Sequence, residues 1–284
     1  MQGTLATPTV TTAEASDITI NSATGNGSIT DLGFPDPTQY GVVWSTSTGP
    51  TVALTTKTEE GIVAATGDFT SSITGLESGT TYYLRAYATN SQGTAYGDEV
   101  SFTTLVTVTF DKNGGETASD PESLTTTVGS TVTLPGTEPT LTGYTFTGWN
   151  DSADGEGVDF DATTEVTNDI TVYAKWSVNS YNITYNLDGG TNNVGNTATY
   201  TYGVGLTLGA PTKTGYTFEG WYDNDTFTGS AATEIGTTET GDQTLYAKWS
   251  ANVYDITYNL DGGTNDEGNL DSYTYGIGLT LNDP

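Results

Sequence analysis

Apolar and polar residues alternate along several short segments of the chain, which is the pattern of strands with one buried face. Tyr40, Val42 and Trp44 share one face of such a segment, and residues 81–88 alternate in the same way. Clusters of turn-forming residues separate these segments. No stretch has the apolar spacing of an amphipathic helix, so we expect any helix to be short. The pattern predicts a mainly β protein.

A strand motif occurs twice, as Gly-Tyr-Thr-Phe-Thr-Gly-Trp at 143–149 and as Gly-Tyr-Thr-Phe-Glu-Gly-Trp at 215–221. Around this motif, further landmarks recur about every 73 residues, which indicates a tandem array. The landmarks are Gly115, Gly190 and Gly263; Pro139, Pro211 and Pro284; and Trp176 with Trp249. Arrays are built to reach or to bind more often than to catalyse.

Each repeat opens with an alternating strand, and in the first copy Val106, Val108 and Phe110 share its face. A glycine pair follows at 113–115, where Asn-Gly favours a tight hairpin turn. We expect a second strand to end near 131–134 in the first copy and near 206–208 in the second. No phosphate-binding glycine loop is predicted, because neither the required lysine nor a helix pattern follows.

The tryptophans of the repeats differ in how well the alternation places them. Trp176 and Trp249 have the core-facing parity of the closing strands, so we expect both to complete the core. Trp149 shares parity with Thr145 and Thr147, so the alternation does not settle whether Trp149 and Trp221 are buried. Exposed, these two rings would form a platform for stacking sugars, and they are the first residues to mutate if sugar binding is found.

The ordered Gly-Gly, Gly-Tyr-Thr-Phe-x-Gly-Trp and Tyr-Ala-Lys-Trp motifs closely resemble the Listeria–Bacteroides repeat, also called the internalin B-type repeat. The resemblance covers 105–284. It implies small β-grasp-like domains that occur in tandem on bacterial surface and secreted proteins, often described as adhesins.

The alternation of apolar and polar residues over 8–104 predicts about seven short strands. This number of strands is typical of an antiparallel sandwich. Within them, Leu76, Thr80 and Tyr82 have the spacing of a tyrosine corner, in which the Tyr hydroxyl reaches backbone near the Leu. The segment resembles a fibronectin type III-like domain. It departs from that family at Ser78, where Pro is frequent, and it has no Arg-Gly-Asp tripeptide, so integrin binding does not carry over.

These observations divide the chain into four parts. A sandwich spans 1–104, complete repeats span 105–178 and 179–250, and a truncated third repeat spans 251–284. The third repeat lacks the last two strand motifs, so its sheet edge is unpaired, and we expect it to be mobile or to pair with a neighbour. Short linkers predict an elongated array. We expect a fragment of a longer protein, with the export signal and the anchor elsewhere.

The net charge of −29 at 284 residues argues against nucleic acid and anionic membranes as partners, because both need clustered Lys and Arg. No apolar stretch is long enough to insert into a membrane. The chain has no Cys and therefore no disulfide, and no His to act as a general base or metal ligand. A solvated extracellular surface is the favoured interpretation of the charge.

The sequence supports no catalytic, cofactor-binding or metal-binding assignment, and we expect a protein that is not an enzyme and needs no cofactor. Ser and Thr have no His to activate them. The acidic loop 150–161 has oxygen ligands that suit calcium, but its spacing is not that of an EF-hand and the matching loop 222–227 has fewer acids. A solvated acidic turn is favoured, with a calcium site as the alternative.

Two covalent modifications are further alternatives. A Lys–Asn crosslink through Lys175 or Lys248 has no identifiable partner Asn in the sequence. Asn26, Asn182 and Asn224 fit the glycosylation pattern, which is common by chance.

We therefore expect a non-catalytic stalk or adhesion region of a bacterial cell-surface or secreted protein, which spaces a binding domain and adds weak multivalent contacts. The alternatives are a module that binds a glycan or a host protein, or an accessory region of a secreted hydrolase. The partner is an extracellular glycan or protein that the sequence does not identify.

Overall fold

The structure is a computed structural model that describes residues 4–283. Within this range the chain folds into strands without a helix, which confirms the predicted mainly β class. The strands are β1 (Thr9–Ser16), β2 (Ser22–Asp31), β3 (Gln39–Ser45), β4 (Gly67–Thr74), β5 (Thr81–Asn90), β6 (Gly93–Tyr96), β7 (Val100–Thr103), β8 (Val106–Asp111), β9 (Ser123–Thr126), β10 (Tyr144–Asn150), β11 (Asp159–Phe160), β12 (Ile170–Val178), β13 (Ser180–Asn186), β14 (Thr199–Thr201), β15 (Leu206–Thr207), β16 (Tyr216–Tyr222), β17 (Glu234–Ile235), β18 (Gln243–Ala251), β19 (Val253–Asp255) and β20 (Ser272–Thr274).

The chain forms two compact units. The first contains the described residues up to Leu141 together with Phe146–Trp176, and the second contains Thr142–Thr145 and the chain from Ser177 onwards. No helix in the described range is apolar and long enough to cross a membrane. Pro284, the predicted counterpart of Pro211, lies outside the described residues.

Two antiparallel sheets build the start of the first unit. One has the order β1-β2-β4, and the other has the order β3-β5-β6 with β7 also paired to β5. Alternation along β3 and β5 brings Val42, Trp44, Tyr82 and Leu84 into one buried cluster. Burying these apolar side chains stabilises the fold by about 1.5–3 kcal/mol each.

The rest of the first unit is a five-stranded sheet in the order β11-β10-β12-β8-β9. Its centre is parallel, since Ile170 of β12 aligns with Val108 of β8 and Val172 aligns with Phe110. The predicted face of β8 is buried, with Val106 and Val108 fully inaccessible. Parallel neighbours at the centre of a sheet are usually covered on their apolar face, as they are here.

The second unit repeats this arrangement. Its main sheet has the order β14-β13-β18-β16, and a separate ladder joins β15 to β17. The strands β13 and β18 are parallel, with Ile183 aligned to Gln243. Ile183, Trp221 and Leu245 belong to its core. After β18, the strands β19 and β20 form a two-stranded antiparallel sheet of their own.

A β-bulge explains the position of the motif tryptophans. On β16, Phe218 aligns with Trp249 and Gly220 with Lys248, so the register shifts between Phe218 and Gly220. The extra residue reverses the parity of the side chains that follow it. Trp221 therefore turns to the core beside Phe218, with ring centroids 5.4 Å apart. Counting alternate residues through the motif was misleading for this reason.

The second strand of the first repeat lies earlier than expected. It is β9, at Ser123–Thr126, and residues 131–134 contain no strand. The predicted turn at the glycine pair is present, because Asn113 and Gly114 both have positive φ and the Gly115 N–H donates to the Lys112 carbonyl at 2.9 Å. A longer loop follows this turn before β9 begins, so the two strands are not joined by the turn alone.

A candidate binding cleft in the first repeat

A concave cleft of about 480 Å³ lies in the first repeat. Phe146, Trp149 and Phe160 form its apolar wall. Three carboxylates line it as well, from Glu138, Asp159 and Asp161. The cleft lies where β10 and β11 meet the loop that follows residue 134. Its volume is within the range of about 300–1,000 Å³ typical of small-molecule sites.

The backbone of β10 opens the cleft. Gly148 has a φ of 135°, which other residues rarely adopt, and a Cβ placed on it would meet nothing within 4 Å. This irregularity turns Trp149 inward, where its ring contacts Phe146 and Phe110 at centroid distances of 5.1 and 5.0 Å. Edge-to-face packing of this kind is favourable for aromatic pairs. The wall of the cleft is therefore part of the core of the repeat.

Asp159 joins the cleft to the neighbouring strands. Its Oδ1 accepts hydrogen bonds from Lys175 Nζ and Asn150 Nδ2, both at 2.9 Å. The bond from Lys175, followed by the bond from Asn150, holds the pKa of the Asp159 carboxyl below its ordinary value of 3.8. Asp161 Oδ1 similarly accepts from the Thr163 hydroxyl and N–H, which lowers its pKa. Both groups are ionised at neutral pH.

The acidic loop 150–161 uses its carboxylates within the loop itself. Asp151 Oδ1 accepts from the Val158 N–H at 2.7 Å, and Asp154 Oδ1 accepts from the Glu156 N–H at 3.0 Å. The described residues hold no group of three potential metal-ligating side chains. Side chains that bind nearby backbone in this way stabilise turns.

The position of Lys175 makes Asn150 the neighbour to consider for a crosslink, because both side chains bond to Asp159. Lys175 Nζ is held in an ion pair with Asp159 Oδ1 at 2.9 Å. In the second repeat Tyr222 occupies the place of Asn150, and Lys248 lies over its ring at 5.3 Å. The arrangement is that of a structural ion pair.

The structure corrects the idea that Trp149 and Trp221 form a stacking platform, because these rings are only 4% and 1% exposed. The bulge on β16 is the cause for Trp221, and Gly148, whose φ of 135° is close to the 140° of Gly220, has the matching place before Trp149. Trp176 and Trp249 pack against the same cores and are partly buried. Phe146, half-buried at the cleft, is the aromatic residue that sequence reasoning missed, and the bulge glycine was the available signal.

Tyr82 makes the contact expected of a tyrosine corner. Its hydroxyl oxygen accepts a hydrogen bond from the Glu77 N–H at 3.0 Å, next to the buried Leu76. The loop below it meets the first repeat inside the same unit. The Gly79 N–H donates to the Leu105 carbonyl at 3.2 Å, and the Asp169 carboxylate accepts from the Ser78 hydroxyl.

A recurrent junction lies within the second unit. The Asn179 N–H donates to the Gly143 carbonyl at 2.9 Å. Tyr202 packs on Gly143, where an added Cβ would lie 2.3 Å from its ring, and it meets Tyr144 edge to face at 5.8 Å. The Thr145 hydroxyl donates to Asn179 Oδ1 at 2.6 Å. Gly143 is required here, because only hydrogen fits beneath the Tyr202 ring.

The same junction recurs one repeat later. The Asn252 N–H donates to the Gly215 carbonyl at 2.9 Å, and the Thr217 hydroxyl donates to Asn252 Oδ1 at 2.6 Å. Tyr275 covers Gly215 and meets Tyr216 edge to face at 5.6 Å. Each Gly-Tyr-Thr segment thus contacts the first half of the repeat that follows it, through the same hydrogen bonds and ring contacts.

Comparison with known proteins finds matches to both repeats. Residues 107–175 and 181–248 each match the Listeria–Bacteroides repeat domain. The chain is 39% identical over 153 residues to internalin H of Listeria monocytogenes, which is 53% of this chain and 26% of that protein. It is 36% identical over 159 residues to a putative Gly-rich membrane protein of Evansella cellulosilytica, which is 56% of this chain and 18% of that protein. The aligned part thus spans about a fifth to a quarter of these relatives.

Similar solved structures include the sensor domain of the anti-sigma factor RsgI4 of Pseudobacteroides cellulosolvens. That match has 20% identity, a TM-score of 0.25, and covers 36% of this chain and 97% of that one. A myokine structure matches at 17% identity with a TM-score of 0.25, covering 36% of this chain and 98% of that one. The sequence matches are the informative comparison: two segments of this chain, 107–175 and 181–248, match the Listeria–Bacteroides repeat domain.

Proposed function

We propose that this chain is a non-catalytic stalk region of a bacterial cell-surface or secreted protein. The observation that supports this most directly is the recurrent junction. Glycine, tyrosine and asparagine make the same contacts at Gly143 and at Gly215. The same hydrogen bonds at both segments order the start of each following repeat, which is what a spacer needs and a flexible linker lacks.

The nature of the relatives supports the same function. Internalin H and two membrane proteins of Evansella cellulosilytica are 36–39% identical to this chain over 153–166 residues. An acidic surface suits an exposed, self-repelling segment. We further propose that residues 1–104 are a fibronectin type III-like sandwich, on the support of the Tyr82–Glu77 contact and of its two antiparallel sheets.

A display experiment tests the stalk function. Residues 1–284 are placed between a cell-wall anchor and an amino-terminal reporter on a Gram-positive cell, and antibody access to the reporter is measured. A Gly-Ser linker of the same length is the control. We expect greater access with the native chain, since the junctions hold the reporter away from the wall. Equal access with both would contradict the proposal.

The second candidate function is a binding module, and the open cleft of the first repeat is the observation that favours it. The purified chain would then bind a glycan or a protein saturably. Hydrolase activity would require a catalytic domain beyond this segment.

A further inference from the structure

Trp149 has a polar atom that the protein leaves without a partner. The side chain is 4% exposed and lines the cleft. No residue within 4–283 accepts a hydrogen bond from its Nε1. The other three repeat tryptophans do have acceptors: Trp176 donates to the Asn113 carbonyl, Trp249 to the Leu187 carbonyl and Trp221 to the Gly209 carbonyl. Among the described residues, the fully buried side-chain atoms without a partner are Gln39 Nε2 and Ser71 Oγ, so the Trp149 N–H is open to the cleft. An acceptor from a ligand can take the place of water there.

The second repeat shows the same site closed. There Trp221 Nε1 donates to the Gly209 carbonyl at 3.1 Å. A Cβ added to Gly220 would lie 2.5 Å from the Cβ of Ala231, whereas at Gly148 it would meet nothing within 4 Å. The second repeat therefore covers its bulge with its own loop and supplies its own acceptor. The first repeat leaves both the space and the indole N–H available.

The remaining groups at the cleft define what can enter it. The second carboxylate oxygens of Asp159 and Asp161 have no hydrogen-bond donor within the described range, and neither has the exposed Glu138. A ligand must therefore donate to carboxylates and accept from an indole N–H, while covering the half-buried Phe146. Hydroxyl groups do both. An ammonium group only donates, which would leave Trp149 unpaired. Anionic ligands would face three like charges.

We propose that the cleft of the first repeat binds a neutral sugar, with the Trp149 N–H donating to a hydroxyl or ring oxygen and the carboxylates accepting from hydroxyls. The apolar face of the sugar ring packs on Phe146. At about 480 Å³ the cleft holds one or two sugar rings. This site does not depend on the stalk function, because it lies within a single repeat.

Indole resonances of the whole 15N-labelled chain provide the test. Cellobiose, maltose and lactose are titrated as neutral probes, with glucuronic acid as the charged control. The Trp149 resonance is assigned by its disappearance in Trp149→Phe, and that of Trp221 by its disappearance in Trp221→Phe. We expect the Trp149 resonance to shift saturably with at least one neutral disaccharide. The Trp221 resonance should stay in place, and glucuronic acid should cause no shift.

Four variants sharpen the result. Trp149→Phe should weaken binding about tenfold, the effect of losing one hydrogen bond to the ligand, whereas Trp221→Phe should not change it. Glu138→Ala should weaken binding as well, and Thr137→Phe should block the cleft without altering the core. Thr137→Phe keeps the test valid if Trp149→Phe does not fold.

The proposal would be overturned if no neutral probe shifts the Trp149 resonance saturably at concentrations up to about 50 mM. That concentration is well above a millimolar dissociation constant. The proposal would also be overturned by equal shifts of Trp149 and Trp221, or by binding that Thr137→Phe leaves unchanged. None of these outcomes affects reporter access in the display experiment, so the two proposals fail separately.

Discussion

The Tyr82 hydroxyl ties the loop at Glu77 to the strand that follows it, through one hydrogen bond in a largely buried setting. Its neighbour Tyr83 points to the opposite face of β5 and is half-buried, and its hydroxyl has no partner within residues 4–283. The two tyrosines therefore differ in one bond and serve as a matched pair.

Tyr82→Phe should lower the free energy of unfolding by about 1 kcal/mol, because the Glu77 N–H loses its acceptor while the ring remains. Urea unfolding monitored by fluorescence measures this change. Tyr83→Phe, the control, should leave the free energy nearly unchanged. If both variants are as stable as the wild type, the hydroxyl bond contributes nothing to the sandwich.

The lowered pKa of Asp159 predicts that the stability of the protein depends on pH in the acid range. The pKa of Asp159 is lowered in the folded protein, first by the hydrogen bond from Lys175, so its contribution is complete above the unfolded value near 3.8. That contribution is lost as the pH falls through the lower folded pKa. Asp159→Asn should therefore flatten the loss of stability below pH 3.8.

The measurement is the melting temperature between pH 2 and pH 7, a range of about five units around the carboxyl pKa. Glu165→Gln is the control, since this exposed carboxylate makes no hydrogen bond within the described residues. A curve for Asp159→Asn that is parallel to the wild type throughout would show that the Lys175 pair does not stabilise the fold.

At the scale of elements, the junction segment 142–145 belongs to the second unit and contacts the start of the second repeat. Gly143 has a φ of 79° and lies under the Tyr202 ring. Gly203 has a similar φ of 83°, but a Cβ there would meet nothing within 4 Å. Comparing the two glycines separates backbone strain from the close approach of the ring.

Gly203→Ala should cost about 1 kcal/mol, the penalty for a left-handed residue with a side chain. Gly143→Ala should cost more, because Tyr202 must also move. Calorimetry measures the stability of both variants. We expect the larger fall in melting temperature in Gly143→Ala. Equal effects of both variants would mean that the ring contact is dispensable.

The sequence predicted those elements in which the period of two is uninterrupted. Val106, Val108 and Phe110 are buried as their alternation indicated. Trp149 could not be placed by counting, because Gly148, with a φ of 135°, interrupts the regular alternation after Phe146. The cleft was also beyond sequence reasoning, since it depends on whether a loop covers Gly148, and the two repeats differ in that loop.

At the scale of the whole chain, the segment after β18 is built differently from the complete repeats. Leu281 is 56% exposed, whereas its counterpart Leu208 in the second repeat is only 9% exposed. With two strands of three residues and little apolar burial, this segment is held mainly by its junction at Gly215. Local stability follows the density of buried contacts.

Hydrogen exchange should therefore be faster in 253–283 than in the matching first half of the second repeat, 181–208. Mass spectrometry of peptides from the whole chain measures both segments in one sample. Tyr275→Ala should accelerate exchange in 253–283 further and leave 181–208 unchanged. Equal protection of the two segments would show that the two-stranded sheet is stable by itself.

The parallel pairing of the first and last long strands has a mechanical consequence. The chain enters the first repeat along β8 and leaves it along β12, and these strands run in the same direction side by side. Tension between the two ends slides one strand along the other, so evenly spaced hydrogen bonds are loaded together. The second repeat has the same geometry in β13 and β18. Each repeat should thus withstand a high pulling force even at modest thermodynamic stability, and force spectroscopy should record an abrupt rupture for each.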